Sequence, residues 1–186
     1  MSAPIYDVHT FWELLERRVA DSGDRPMLID EADRVLTFAE VRERAERAAA
    51  GFAELGVGEG TPVTWVLPTR IETIVVSLAL SRLGAVQNPI IHIYREREVG
   101  FCIRQTIAEM VLVPGEWNGF DYTAMVATAT AGLDEPPKVL VAYHDLPDGD
   151  PNTLDPVSPP PNRRRPHPVD LLHLRYHLRP QGGYAH

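Results

Sequence analysis

LTFAEVRERAERAAAGFAELGVGEGTPVTWVLPTRIETIVVSLALSRLGAVQNPI, residues Leu36 to Ile90, decides how the rest of the chain is read. Thr37 followed three residues later by Glu40 forms a capping-box pattern, in which a hydroxyl and a carboxylate satisfy each other's free amides. A helix is predicted from there to about Leu55, where Gly56 stops it. Arg42, Glu43, Arg44, Glu46 and Arg47 make its solvated face. Pro62–Leu67 is a mostly apolar, β-branched run suited to a buried strand, Glu72–Leu83 a helix ended by Gly84, and Ala85–Ile90 a further strand. Strand, helix and strand in this order imply a βαβ unit with parallel strands.

The same alternation extends outward. Thr10 and Glu13 repeat the capping-box spacing, predicting a helix to about Ala20, with Phe11, Leu14, Leu15 and Val19 on one face. Met27–Asp30 and Arg34–Leu36 are expected as two short strands. Beyond Ile90, a helix over Glu96–Thr106, a strand over Glu109–Val113, a helix over Tyr122–Ala131 and a strand over Lys138–Ala142 are expected in turn. The expected fold is α/β, a mainly parallel sheet with helices on both faces. Past Tyr143 the alternation stops. Six prolines fall between Pro147 and Pro161, so no regular element is expected there. The expected organisation is an α/β unit over 1–145, a Pro-rich linker over 146–161 and a disordered tail over 162–186.

Charge divides the chain unevenly. The whole carries a formal −8, but residues 162–186 hold five Arg against one Asp. The acidic bulk argues against a nucleic-acid binder, since phosphate contacts need Lys and Arg. One cysteine, Cys102, excludes an internal disulfide and a multi-Cys metal site, and fits a reducing cytoplasm. No basic start followed by an apolar stretch marks a signal peptide, and Ile71–Leu83, broken by Glu72 and Arg82, is too short to span a bilayer. A cytoplasmic location without a transmembrane segment is expected.

The wording of Leu36–Ile90 resembles the start of the AMP-forming acyl-CoA synthetases, the adenylate-forming ligases also called AMP-binding enzymes. In that family a strand ends in T[YF]xEL, a helix runs into L…GVxxGDxV, and N…E…A…LG…GA…NP comes next. Here Val41 replaces the usual Leu, Glu59-Gly60 the Gly-Asp, and Thr69-Arg70 the common Asn. The resemblance covers nearly all of residues 9–142. It implies the N-terminal subdomain of the ligase fold, incomplete in itself. The parent reaction it implies uses ATP, Mg²⁺ and CoA to turn a small carboxylic acid into an acyl-CoA, AMP and diphosphate.

The family's phosphate-binding loop, [YF]TSGTTxxPKG, is expected soon after residue 160 and is absent as written. Its glycines let backbone amides approach phosphate, which hydroxyls and a Lys then help to hold. Regrouping each codon's last two bases with the next codon's first base, from Val169 onward, permits WIYYTSGTTxxPKG at every junction. Val169/Asp170 allows Trp, Arg175/Tyr176 allows Gly, and Gln181/Gly182 allows Lys. A frameshift at or before Asn162 is therefore expected, in the Ser158–Pro161 run. The polypeptide itself is then expected to hold no cofactor, to be inactive alone and marginally stable, and to have a complementary C-terminal fragment as a possible partner.

Other residues allow competing readings. His173 and His177 have a spacing that can share a metal, but no third ligand is near. Arg163–Arg165 could be a nucleic-acid or nuclear-targeting patch, but out-of-frame reading of a GC-rich gene also yields such runs and is favoured. A self-contained α/β binding module with this basic tail, or half of a split ligase, are the alternatives. Gly56-Val-Gly58-Glu-Gly60 follows a helix and precedes a strand, the reverse of a dinucleotide loop, and is read as a turn. Cys102 is read as packed. His92, Tyr94 and Arg95 follow the NPII strand, near the substrate cleft by the resemblance; an ordinary loop role is favoured for each. Glu116–Phe120 either lines a pocket or docks the next helix, and both readings stand.

Overall fold

The structure is a computed structural model that describes residues 8–157. Its centre is a four-stranded, wholly parallel sheet of β3 (Pro62–Trp65), β4 (Val86–Pro89), β5 (Met110–Val113) and β8 (Lys138–Val141), in the order β4-β3-β5-β8. Side chains alternate across a strand, and β5, buried throughout, shows the result clearly. Met110 and Leu112 enter one core while Val111 and Val113 enter another.

The first core lies under α1 (Phe11–Ser22), α2 (Phe38–Glu54) and α3 (Ile71–Arg82), and gathers Trp12, Leu15, Val41, Phe52, Val63 and Leu80. The second lies under α4 (Glu96–Thr106) and α5 (Tyr122–Thr130), around Val66, Val99, Ile103, Met125 and Val126. Helices thus cover both sheet faces, as expected. Each fully buried Leu, Ile, Val or Phe contributes about 1.5–3 kcal/mol, so the two cores rather than helix propensity hold the unit together. β8 is an outer strand of the sheet, and Val139 and Val141 on its second face remain partly exposed.

Local signals act largely as read. At α2, Thr37 Oγ1 accepts from the Glu40 amide at 3.2 Å and the Glu40 carboxylate accepts from the Thr37 amide at 2.8 Å, a complete capping box. At α1 the box is only half built. Thr10 Oγ1 accepts from the Glu13 amide at 3.0 Å, but the Glu13 carboxylate accepts from the His9 amide at 2.8 Å. The two short strands, β1 (Pro26–Ile29) and β2 (Val35–Thr37), pair antiparallel. Asp30 fixes their turn by accepting from the Ala32 and Arg34 amides at 3.0 and 2.9 Å. One hairpin is additional to the expected elements: β6 (Glu116–Trp117) and β7 (Phe120–Asp121) close through Asn118 and Gly119, both at positive φ.

The proline-rich stretch, expected to lack regular elements, contains a 3₁₀ turn at Pro151–Thr153. Residues 145–155 form a strap across α2. Leu146 and Leu154 join the first core, the Gly149 amide donates to the Arg47 carbonyl at 3.0 Å, and Asp148 pairs with Arg47. The strap ends at Arg82, whose Nη2 donates to the Asp155 carbonyl at 2.9 Å. Proline removes amide donors without preventing burial, which is why this segment packs despite its composition. Arg163–Arg165, His173, His177 and the expected tail lie outside the described residues.

Candidate functional site

In a parallel sheet, ligands are taken up outside the carboxyl ends of the strands, where the strand order reverses. Here the reversal is at β3, since β4 lies on one side of it and β5 on the other. The loops leaving these ends carry two side-chain clusters.

The first cluster joins the segment after β4 to the β6–β7 hairpin. The His92 ring stands edge-on to Trp117, with centroids 4.9 Å apart at 84°. Tyr122, buried at the start of α5, donates its hydroxyl to the His92 carbonyl at 2.9 Å. Arg95 donates from Nη1 to the carbonyls of His92 and Tyr94 at 3.0 and 2.9 Å and lies 4.3 Å over the Phe120 ring. A cation over an aromatic face is worth about 0.5–1 kcal/mol at exposed sites, so the arrangement anchors this loop. His92 and Arg95 therefore come together with Trp117, Phe120 and Tyr122. Tyr94 does not join them; it lines a separate hollow beside Arg97, Phe101 and Cys102 on α4. In the Glu116–Phe120 stretch, Trp117 and Phe120 pack against the second core, and β6 meets α5, which is the docking role.

The second cluster links the starts of β2 and α3 to the end of β8. Glu72 interrupts an apolar helix and is almost fully buried. Its carboxylate accepts from Arg34 Nη1 at 2.8 Å and Arg70 Nε at 3.2 Å. Burial pushes the Glu72 carboxyl up, but the Arg34 hydrogen bond, its own helix-end amide, the Arg34 charge and Arg70 together hold it below the usual range. Arg70 stacks over Tyr143 at 4.2 Å, donates to its hydroxyl at 2.7 Å, and places Nη2 3.4 Å from His144 Nδ1. None of this cluster was singled out from sequence. The available signal was a lone carboxylate inside an apolar helix, which burial permits only with cationic partners.

The chemistry of these groups is that of a frame. Neither cluster pairs a nucleophile with a base, and the Cys102 thiol is pushed up by burial and by Glu98, away from thiolate reactivity. Among the described residues no group of three or more His, Cys, Asp or Glu could hold a metal ion. No helix among them is long and apolar enough to cross a membrane.

Comparison with known proteins agrees with the fold. The model of the AMP-binding enzyme family matches residues 15–176. The chain is 32% identical over 133 residues to the 2,3-dihydroxybenzoate-AMP ligase of Bacillus subtilis, covering 72% of this chain and 24% of that protein. It is 35% identical over 133 residues to the salicyl-AMP ligase / salicyl-S-ArCP synthetase of Mycobacterium tuberculosis, covering 72% and 22%. Among solved structures, the N-terminal subdomain of Klebsiella oxytoca NpsA in complex with 3-hydroxyanthranilyl-AMSN shares the fold, with a TM-score of 0.64 at 21% identity, over 85% of this chain and 37% of that one. This chain belongs to the AMP-binding enzyme family and corresponds to the N-terminal part of an adenylate-forming ligase. It spans about a quarter of the length of these two curated relatives.

Proposed function

We propose that this chain is the N-terminal part of a cytoplasmic acyl-CoA synthetase that joins a small carboxylic acid to AMP before CoA displaces the nucleotide, and that it is inactive alone. The observation that carries the reading is the family match combined with the sequence beyond residue 160. That stretch as written has no glycine- and hydroxyl-rich loop, and the described clusters are frames rather than reacting groups. Attack on phosphorus depends on positioned donors and charge around the phosphates. Such donors belong to polypeptide other than residues 8–157.

On this reading ATP, Mg²⁺ and CoA serve the parent reaction. The placement of His92, Tyr94 and Arg95 near the substrate cleft belongs to this reading, with His92 and Arg95 holding their loop through the contacts above. Pyrophosphate release by the purified chain, with a panel of fatty, alicyclic and aromatic acids, tests the proposal. No release above background is expected, and turnover would refute inactivity.

The frame change at or before Asn162 belongs to the same proposal. The family match runs in the translated frame to Tyr176, so it competes with the regrouped reading over that stretch. Sequencing the coding DNA decides between them: codons at 169–183 that cannot regroup into the loop would end the frameshift idea.

A further inference from the structure

Between α2, the start of α3 and the strap lies a hollow of about 300 Å³. Its apolar part is made by Ala48, Ile71 and Val75, all buried, with Leu146 of the strap beside them. Most of the ionisable side chains that line it are already engaged. Arg47 donates from Nε to Asp148 at 2.7 Å, Glu72 accepts from Arg34 and Arg70, and His144 Nδ1 stands 3.4 Å from Arg70 Nη2. Two charges are left over. Arg44 on α2 and Asp145 on the strap line the same hollow, yet they form no ion pair with each other or with any other described residue. Opposite charges that face one cavity from different elements without meeting leave a gap that a bridging molecule can close.

We infer that this hollow is a regulatory binding site for a small aliphatic α-amino acid. Arg44 takes the carboxylate, Asp145 takes the ammonium group, and Ala48, Ile71, Val75 and Leu146 receive the side chain. An apolar lining with a few convergent polar groups is the usual make-up of a ligand pocket. A guanidinium fork matches a carboxylate with two parallel hydrogen bonds. A simple acid would bring its carboxylate toward Asp145, and a simple amine would bring its ammonium toward Arg44. A zwitterion answers both charges and adds none of its own. The site shares no residue with the His92–Trp117 cluster and stands apart from the reaction proposed above. Because Asp145 belongs to the strap and Arg44 to α2, the bound molecule ties one to the other, and occupancy holds the strap down.

Calorimetric titration of the full chain with leucine and its two half-analogues tests the assignment. One half-analogue, 4-methylpentanoate, lacks the ammonium group, and the other, 3-methylbutylamine, lacks the carboxylate. A hydrogen bond between charged groups is worth about tenfold in affinity or more, so leucine is expected to bind at least that much more tightly than either half. Arg44→Gln should weaken leucine by about the same factor and leave 3-methylbutylamine unchanged, while Asp145→Asn should weaken leucine and leave 4-methylpentanoate unchanged. Leucine should also slow chymotrypsin cleavage after Tyr143 and Leu154 in the unmodified chain, because a ligand that ties the strap lowers the population of its open form. The half-analogues keep the test decisive on the unmodified chain, whatever the substitutions do to folding. No saturable binding of millimolar leucine overturns the site. So does equal or tighter binding of 4-methylpentanoate, which marks a site for acids, or of 3-methylbutylamine, which marks a site for amines. Leucine binding that both substitutions leave intact places the ligand elsewhere and overturns it too. None of these outcomes touches the reading of the chain as part of a ligase.

Discussion

Gly51 sits within α2, where replacement by Ala would ordinarily stabilise a helix by about 1 kcal/mol. At this position the strap changes the sign. A Cβ on residue 51 would lie 2.5 Å from the Pro147 carbonyl carbon and 2.7 Å from the Pro147 Cβ, and would also strike the Asp148 amide nitrogen. Gly149 makes the reciprocal approach, since a Cβ there would stand 2.8 Å from the Gly51 nitrogen. Two glycines thus let backbone cross backbone, and the atoms that would have to yield are main chain rather than flexible side-chain ends. Overpacking of this kind costs about 1–3 kcal/mol. Because main-chain atoms must move, the upper part of that range, about 2–3 kcal/mol, applies, and set against the gain in propensity Gly51→Ala should destabilise the chain by a net ~1–2 kcal/mol. Urea unfolding followed by circular dichroism measures that loss, and chymotrypsin cleavage after Tyr143 and Leu154 reports whether the strap has lifted. An alanine variant with a higher unfolding midpoint and an equally protected strap would refute the crossing.

Three further substitutions probe other parts of the structure. Thr37→Ala should cost about 1 kcal/mol by removing the hydroxyl half of the α2 capping box, measured as a drop in urea midpoint without change in slope. Ile107→Gly should stabilise by about 1 kcal/mol, because Ile107 ends α4 in the left-handed region at φ 50° while 77% exposed; no gain in thermal midpoint would contradict this. Glu72→Ala should cost about 1–3 kcal/mol at pH 7 by leaving cationic partners of a buried carboxylate unmatched. The Glu72 carboxyl is held below its ordinary value of 4.5, so its contribution is present above that pH and is lost as pH falls through the lower folded value. The gap between Glu72→Ala and the parent should therefore narrow on acidification below about pH 4.5, and a gap that widens would show that the ion pairs do not hold Glu72.

The sheet was legible because its signals are local and periodic. β5 alternates between two cores, and the caps at Thr10 and Thr37 are written in four residues each. The β6–β7 hairpin was also written, in Asn118-Gly119, but its strands are two residues long, too short for alternation to show. His92, Tyr94 and Arg95 share a position after a strand, and that position alone does not reveal that His92 and Arg95 meet the hairpin aromatics while Tyr94 faces α4. The Arg34–Glu72–Arg70–Tyr143 cluster joins positions as far apart as 34 and 143, and no spacing rule connects such residues. The strap failed to stand out for a related reason. Its prolines announce the absence of a regular element, whereas its burial depends on a glycine in α2 about a hundred residues earlier.

That separation bears on the order in which the molecule comes together. Arg47 and Asp148 are 101 positions apart, among the most distant hydrogen-bonded partners in the described chain. Closing so large a loop is entropically costly until the sheet has already brought its ends near. As the chain leaves the ribosome, α2 and the central strands can assemble while its outer face stays bare, and the strap arrives last, as a clasp. Contacts made after the folding barrier act on how fast a structure comes apart rather than on how fast it forms. Weakening Gly51, Asp148 or Arg82 should then shorten the lifetime of the folded chain while leaving its refolding rate nearly unchanged.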